Sequence, residues 1–528
     1  MAAETRPARG GRIARNTAIF SVATGLSRVA GLVREIVASS YFGTSGAFSA
    51  FTLAFQVPNL IRSLFADSAL SAAFVPVFTD LLEKGNRRDA FRLASTLAAV
   101  IVGALGSISA LFVLLAPWLM PLLTDTAGLD ALATGLSQVM FPIVLLLGLN
   151  GLVVGILNAY DHFSVPAIAP LVWNVVIIAV LVGARPLFEG DDQLYAYAIG
   201  VLAGTVVQFL MVLPVLRRLD FRFSRHIDLR DPRLRRVLSL MFPVTIGLGL
   251  INFGQVIDST IGFTVSESAP RAIDAAFRVY MLPQGMFSVA VATVLFPALS
   301  RLVSRGDVDG LRSLLATGTR GVFLLLIPCA ACTLVLAEPI TRLVYERGAF
   351  GDASTAEVSE ALLWFSFSLP FSGVNLLLTR TFFSLQRPWL VTGLSGATLL
   401  VNVAVSVALA GPFGIAGIVV GTVVSTSAMT VLQAWLLRRE LHGRLEAGRT
   451  LDAVLRMLAA AAALAAVAYA VWWALDDLLG RALPAQIVSV GLGLLAGLAT
   501  YAALVLALRV GEARRISAMV RERLGAKP

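Results

Sequence analysis

Apolar stretches the length of a membrane-crossing helix recur along nearly the whole chain, and they constrain its fold more than any other feature. They fall near 17–40, 47–80, 91–116, 134–159, 164–184 and 193–216, then near 236–265, 272–300, 313–337, 357–385, 389–410 and 414–437, and finally near 453–475 and 484–508. A bilayer core takes about 20 such residues per helix. A helix also satisfies its backbone donors and acceptors internally, as lipid requires. The pattern predicts an all-α polytopic membrane protein with about fourteen transmembrane helices. Composition agrees: 57% of the 528 residues are hydrophobic and 14% charged, with a mean hydropathy of +0.83. A soluble globular protein is excluded.

The 42 basic residues exceed the 32 acidic ones, and all but two of them are Arg. Their placement decides what the excess means. With the N-terminus inside, the predicted inner segments 1–16, 80–92, 217–236, 301–312, 380–387, 438–456 and 509–528 hold 32 of the 42. That is the asymmetry of cytoplasmic loops, so both termini are expected inside and no nucleic acid is expected as partner. Arg6, Arg9, Arg12 and Arg15 precede an apolar stretch too long for a signal peptide and without an A-x-A cleavage site, so residues 1–16 are expected to be a retained cytoplasmic tail. Arg185, Arg271, Arg342, Arg347 and Arg481 fall in predicted outer loops and Arg320 near the inner end of its span.

Landmarks recur roughly 220 residues apart, as in transporters built from repeats. Phe74-Val75-Pro76 leads to Gly85 as Phe296-Pro297 leads to Gly306. Leu115-Ala116-Pro117 matches Leu336-Ala337-Glu338-Pro339, Asn174-Val175 matches Asn402-Val403, and Gly204-Thr205-Val206-Val207 matches Gly421-Thr422-Val423-Val424. The predicted organisation is an N-lobe at 17–218, a C-lobe at 219–440, a C-terminal helix pair at 441–510 and a cytoplasmic tail at 511–528. Each six-helix lobe has an even number of spans, so the repeat is parallel and a central cavity between lobes is the expected substrate path.

Charged groups inside a membrane are costly and mark pathways or sites. Arg28, Arg34, Glu35, Arg62, Asp67, Asp258, Asp274 and Arg278 fall in or near predicted spans. Arginines in a low-dielectric cavity attract phosphate or pyrophosphate, because the planar guanidinium donates two parallel charge-assisted hydrogen bonds. On an unbroken helix Arg28 and Arg34 point about 120° apart, and a bend at Gly25 or Gly31 would bring both toward one cavity. The competing reading is structural: Arg34 and Glu35 snorkel to the interface and Arg62 pairs with Asp67. Asp258, beside Gln255 and Ser259, is a candidate for a coupling cation or proton, or for an interhelical hydrogen bond. Pro58, Pro76, Pro283 and Pro297 predict breaks in the second and eighth spans.

Catalytic patterns are scarce. His162, His226 and His442 lie in predicted loops without metal-ligand spacing or a triad, and Cys329 and Cys332 form a lone CxxC in an apolar run, read as packing. Gly491-x-Gly493 and Gly414-x-x-Gly417-x-x-x-Gly421 are read as close helix packing rather than nucleotide fingerprints.

Ser27-Arg28-Val29-Ala30-Gly31-Leu32-Val33-Arg34-Glu35, Tyr41-Phe42-Gly43, Pro58-Asn59-Leu60-Ile61-Arg62 and Phe65-Ala66-Asp67 through Ala73-Phe74-Val75-Pro76 together resemble the N-terminal signature of the MurJ (MviN) lipid II flippases. Asn158-Ala159-Tyr160 with Pro166, then Arg278 and Leu295-Phe296-Pro297, extend the resemblance over essentially the whole chain. It implies the fold of the multidrug/oligosaccharidyl-lipid/polysaccharide exporter superfamily: two six-helix lobes around a central cavity, plus two C-terminal helices. It implies a transporter, not an enzyme, moving undecaprenyl-pyrophosphate-linked peptidoglycan precursor (lipid II) across the bacterial cytoplasmic membrane. Arg28, Arg34, Arg62 and Arg278 match the family's substrate-binding arginines. The last two spans, with Trp472 and Trp473, match its lipid-tail groove. Lipid II, membrane lipids and cell-wall synthesis proteins are the implied partners; no cofactor is implied, and a coupling cation or the membrane potential is the candidate energy source.

Two positions depart from the family pattern. Ser49 and Met281 stand where many members carry acids, which leaves Glu35, Asp67, Asp258 and Asp274 as the coupling or gating candidates. Rival readings are an exporter of another lipid-linked glycan or of drugs, a polyprenyl-phosphate enzyme, and a non-transporting cell-wall assembly scaffold. Intramembrane arginines argue against an exporter of cationic drugs.

Overall fold

The computed structural model describes residues 6–65, 68–124, 128–160, 162, 164–219, 221–224, 227–441 and 446–523. These residues are overwhelmingly helical, and none of them forms a strand. The chain divides into two compact units, Met1–Phe263 and Thr264–Pro528.

The first unit contains α1 (Arg6–Phe42), α2 (Gly46–Phe65), α3 (Ser68–Glu83), α4 (Arg87–Leu119), α5 (Pro121–Thr124), α6 (Leu129–Met140), α7 (Ile143–Ala159), α8 (Ser164–Ala184), α9 (Gln193–Arg218) and nearly all of α10 (Pro232–Val265). The second contains α11 (Ala269–Pro283), α12 (Val289–Ser304), α13 (Val308–Val335), α14 (Ala337–Tyr345), α15 (Asp352–Ser384), α16 (Pro388–Glu440), α17 (Ala447–Leu479), α18 (Leu483–Ala507) and α19 (Gly511–Arg523). Among the described residues, ten segments are long and apolar enough to cross a membrane, with Gly46–Ile61 a shorter apolar helix. The all-α polytopic class therefore holds.

Among the described residues every predicted apolar stretch coincides with helix, and two of the breaks fall at prolines, whereas Pro58, Pro76 and Pro297 lie inside their helices without breaking them. The stretch 134–159 divides into α6 and α7 around Pro142, and the eighth divides where Pro283 is followed by a π-helical turn, Gln284–Ser288. Proline removes a backbone donor and crowds the preceding turn, so the ladder shifts register there. The 53 residues of α16 cover two predicted stretches, broken at Gly414, whose φ of 57° and ψ of −133° are not helical.

The two units share local devices at the positions where their sequences match. Helices α3 and α12 both end on a left-handed glycine, Gly85 at φ 78° and Gly306 at φ 67°. Gly85 N–H donates to Leu82 O at 3.0 Å and Asn86 N–H to Leu81 O at 2.9 Å, while Gly306 N–H donates to Val303 O and Asp307 N–H to Leu302 O, both at 3.0 Å. This pair of bonds satisfies carbonyls left open at a helix end. The same correspondence holds for the hairpins that follow. A Cβ on Gly204 of α9 would meet Trp173 O of α8 at 3.0 Å, and one on Gly421 would meet Asn402 O across α16's hairpin at 3.0 Å. Small residues at such crossings let helix backbones approach where lipid offers no hydrophobic drive.

The first unit's core is aromatic. Phe48, Phe51, Phe74, Phe78, Phe141 and Tyr197 belong to one buried cluster, with Phe51 stacked on Tyr197 at 4.3 Å between centroids. In the second unit α17 and α18 pack on α13 through Leu324, Ile327, Met457, Leu464, Tyr501 and Val505.

Candidate functional site

In the first unit the site is built on α1, which packs against α8. Gly31 faces the Asn174 amide, where an added Cβ would make an ordinary contact at 3.8 Å. Asn174 donates to Pro170 O at 2.9 Å and to Ser27 O at 3.4 Å, which ties α8 to α1 one residue before Arg28. Arg34 is buried, with its guanidinium 4.9 Å from the centre of the Trp173 ring and Nη2 3.8 Å from Glu35 Oε2. Trp173 is itself fixed by donating Nε1–H to Thr205 Oγ1 at 3.1 Å. The π-face stabilises the cation without neutralising it, and Arg34 Nε has no hydrogen-bond partner among the described residues.

Helix α1 runs unbroken from Arg6 to Phe42, so the bend expected at Gly25 or Gly31 does not appear. Arg28 and Arg34 consequently lie on different faces, Arg28 exposed and Arg34 buried. Arg62 lies on α2, and its side chain falls outside the described ones, as does the whole of Asp67 and with it the predicted Arg62–Asp67 pair. Asp258 is half-buried on α10. Ser49 is fully buried in α2.

In the second unit the site is built on α11. Its buried face, Ala272, Ala275, Ala276 and Val279, packs against α15. Ser368 of α15 donates to Tyr280 Oη at 3.1 Å, and the Tyr345 hydroxyl donates to Ala275 O at 3.2 Å. On this fixed helix Arg278 Nε donates to Asp274 Oδ2 at 2.9 Å, and Arg271 Nη1 donates to the same oxygen at 2.9 Å. The three side chains form a graded row, 1% exposed at Arg271, 13% at Asp274 and 34% at Arg278. Met281 is exposed.

The sequence reading placed Arg271 in an outer loop, whereas the structure buries it in the first turn of α11. The i,i+3 spacing to Asp274 was the available signal. Trp173 was missed because nothing local connects it to Arg34. Arg342, also assigned to an outer loop, is buried on α14, where it pairs with Asp476 of α17 and lies 5.8 Å from the Trp472 ring. Trp472 is therefore held inward while Trp473 is exposed.

Each unit thus sets an arginine on a helix beside an aromatic or carboxylate neighbour, Arg34 beside Trp173 and Glu35 in the first and Arg271 and Arg278 beside Asp274 in the second. A profile of the family described as lipid II flippase MurJ matches residues 38–488. The chain belongs to this family. A lipid II flippase MurJ of Burkholderia cenocepacia is 32% identical over 352 residues, covering 65% of this chain and 68% of the relative. A probable lipid II flippase MurJ of Rhizobium meliloti is 30% identical over 459 residues, covering 85% and 84%. In fold, the chain resembles a MurJ structure in an inward closed conformation, with a TM-score of 0.76, 21% identity and coverage of 93% of this chain and 99% of that one. It also resembles an inward-facing multidrug resistance MATE transporter of the MOP superfamily, with a TM-score of 0.68, 14% identity and coverage of 80% and 94%. MurJ membership thus rests on sequence, and the MATE likeness extends only to fold.

Proposed function

We propose that this member of the MurJ family is a flippase that moves lipid II from the inner to the outer leaflet of the cytoplasmic membrane, with both termini inside. The observation that carries the reading, beside family membership, is Arg34: a buried guanidinium on an apolar helix with an unsatisfied Nε and an aromatic face behind it. An unsatisfied buried donor is costly, and a phosphate oxygen is a strong acceptor for it. In this reading Arg28, Arg34, Arg62 and Arg278 receive the pyrophosphate headgroup from the cytoplasmic side. Alternating access then exposes the headgroup outside while the undecaprenyl tail remains in lipid. Binding has to be comparable in both states, since a strong preference would trap one of them.

The substrate headgroup is anionic, so an inside-negative potential favours its outward movement by about 2.3 kcal/mol per charge per 100 mV. Glu35, Asp67, Asp258 and Asp274 are the candidates for gating or for a coupled cation. The work is transport, with no bond made or broken by the protein. The test is to replace the essential lipid II flippase of a bacterium with this chain and quantify lipid II reaching the outer leaflet. Wild type is expected to sustain export, and Arg28→Ala and Arg278→Ala, at equal expression, to lose it. Normal export by both variants sinks the arginine site, and absence of export by correctly inserted wild type sinks the substrate.

A further inference from the structure

We propose that the exposed side of α19, with the turn that precedes it, docks on an acidic lipid leaflet and so fixes the end of the terminal helix pair at the membrane surface. The chain itself brings α19 there: α18 is long and apolar enough to cross a membrane, and α19 starts at Gly511, four residues after α18 ends at Ala507. Side chains mark the level at which lipid gives way to water. On α17 exposed Arg449 is followed by exposed Leu451, Leu455 and Leu458, and at the end of α18 exposed Leu506 and Leu508 are followed by exposed Arg509. Arg456 Nη1 donates to Leu508 O at 2.9 Å, which sets the two boundaries side by side.

The first turn of α19 is held on the protein, and that decides which groups face outward. Val510 and Ala513 join the buried cluster of α13, α17 and α18, and Glu512 pairs with Arg320. Arg514, Arg515 and Ile516 follow directly and are all exposed. On a helix Ile516 lies about 100° from Arg515 and about 160° from Arg514. One orientation at the interface therefore seats the isoleucine among acyl chains and the arginines among headgroups. Charge selects the lipid. Among the described acids at this end of α17 and α19, Glu446 and Glu512 pair with Arg320 and Asp452 with Arg456, whereas Arg449, Arg509, Arg514 and Arg515 have no ion pair among the described residues. Arg509 holds a left-handed φ of 59°, where α3 and α12 end on Gly85 and Gly306, so an arginine stands here against a backbone cost.

The test reads the depth of α19 in the full chain. Protein with Cys329→Ala and Cys332→Ala carries an environment-sensitive dye at Ile516→Cys. It is reconstituted in vesicles of phosphatidylcholine alone or with about one-third phosphatidylglycerol, each holding a lipid-borne quencher. Quenching should be several-fold stronger with phosphatidylglycerol and should fall with added salt. Arg514→Gln/Arg515→Gln should lower the phosphatidylglycerol-dependent part at least about fivefold, and Arg514→Lys/Arg515→Lys should keep it. Arg509→Gly should lower it by about threefold while leaving the unfolding midpoint equal to or above the parent's, an opposition that a misfolded chain does not give. Soluble glycerophosphate should not displace the dye; displacement would make this a site for free phosphate and overturn the docking. Equal quenching in both lipids also overturns it and leaves α19 to apolar contact alone. Absence of quenching in either lipid overturns it and leaves the face to a protein partner, and a full phosphatidylglycerol response in the glutamine variant removes the arginines from the account.

Discussion

Arg320 of α13 donates from Nη1 to Glu446 Oε2 at 3.0 Å and also pairs through Nε with Glu512. Glu446 lies just before α17, and Glu512 lies in the first turn of α19, beyond α18. One guanidinium thus joins α13 to both ends of the terminal helix pair, while Arg342 and Asp476 make a second junction between α14 and α17.

Loss of the first junction should be measurable. Removing one partner of a fully buried pair costs roughly 3–5 kcal/mol. Glu446 is 29% exposed, so Arg320→Gln is expected to cost less, about 2 kcal/mol, as water screens what remains. Thermal unfolding in detergent measures it. A double-mutant cycle of Arg320→Gln with Glu512→Gln should show coupling, and additivity would mean that the pair contributes nothing.

The matching turns offer a test without side-chain contacts. A Cβ at Gly306 meets nothing within 4 Å, so Gly306→Ala probes only the left-handed φ of 67°. It should destabilise by about 1 kcal/mol. Gln386 and Arg509 occupy the same conformation at φ 58° and 59° without being glycine. Gln386→Gly should therefore stabilise by up to about 0.5 kcal/mol once unfolded-state entropy is subtracted. Unfolding midpoints of opposite sign to these would refute the assignment.

Glycine positions in the same helix should respond differently. At Gly493 an added Cβ lies 2.9 Å from Ala468 O, whereas at Gly491 it meets nothing within 4 Å. Gly493→Ala should lower stability by about 1–3 kcal/mol through overpacking. Gly491→Ala should raise it by up to about 1 kcal/mol through helix propensity. The comparison needs only the two melting curves.

Acid should act on the linker before α10. Burial raises the pKa of Asp231, but the side-chain and backbone hydrogen bonds from Arg233, with the charges of Arg233 and Arg92, outweigh it and hold the carboxyl below the ordinary range. A group whose folded pKa is lowered stabilises fully above its unfolded value, about 3.9, and loses that contribution as pH falls through the folded value. The stability gap between wild type and Asp231→Asn should accordingly be constant from pH 7 to about 5 and close below about 4. A gap that persists in stronger acid contradicts this.

How much was legible in the sequence follows from which interactions are local. Apolar stretches report helices directly, and Pro283 announced its break because proline acts on its own turn. The Asp274–Arg278 pair was visible as an i,i+4 spacing, and Gly417 and Gly421 as small residues at packing intervals. Arg271 and Arg342 were misplaced because charge next to Pro270 or Pro339 reads as loop. Only tertiary structure reveals that Arg342 meets Asp476, 134 residues away. Arg34 and Trp173 illustrate the same limit, since a cation over a ring on another helix leaves no periodic trace.

The central claim is that intramembrane arginines carry an anionic lipid headgroup across the bilayer. The most direct measurement reconstitutes the protein in liposomes and follows labelled lipid II between leaflets, comparing wild type with Arg34→Gln and Arg278→Gln. Movement by wild type that falls at least tenfold in each variant, at equal incorporation, is the predicted result, in line with the loss of a charge-assisted contact to phosphate. Unchanged movement in both variants would contradict the account.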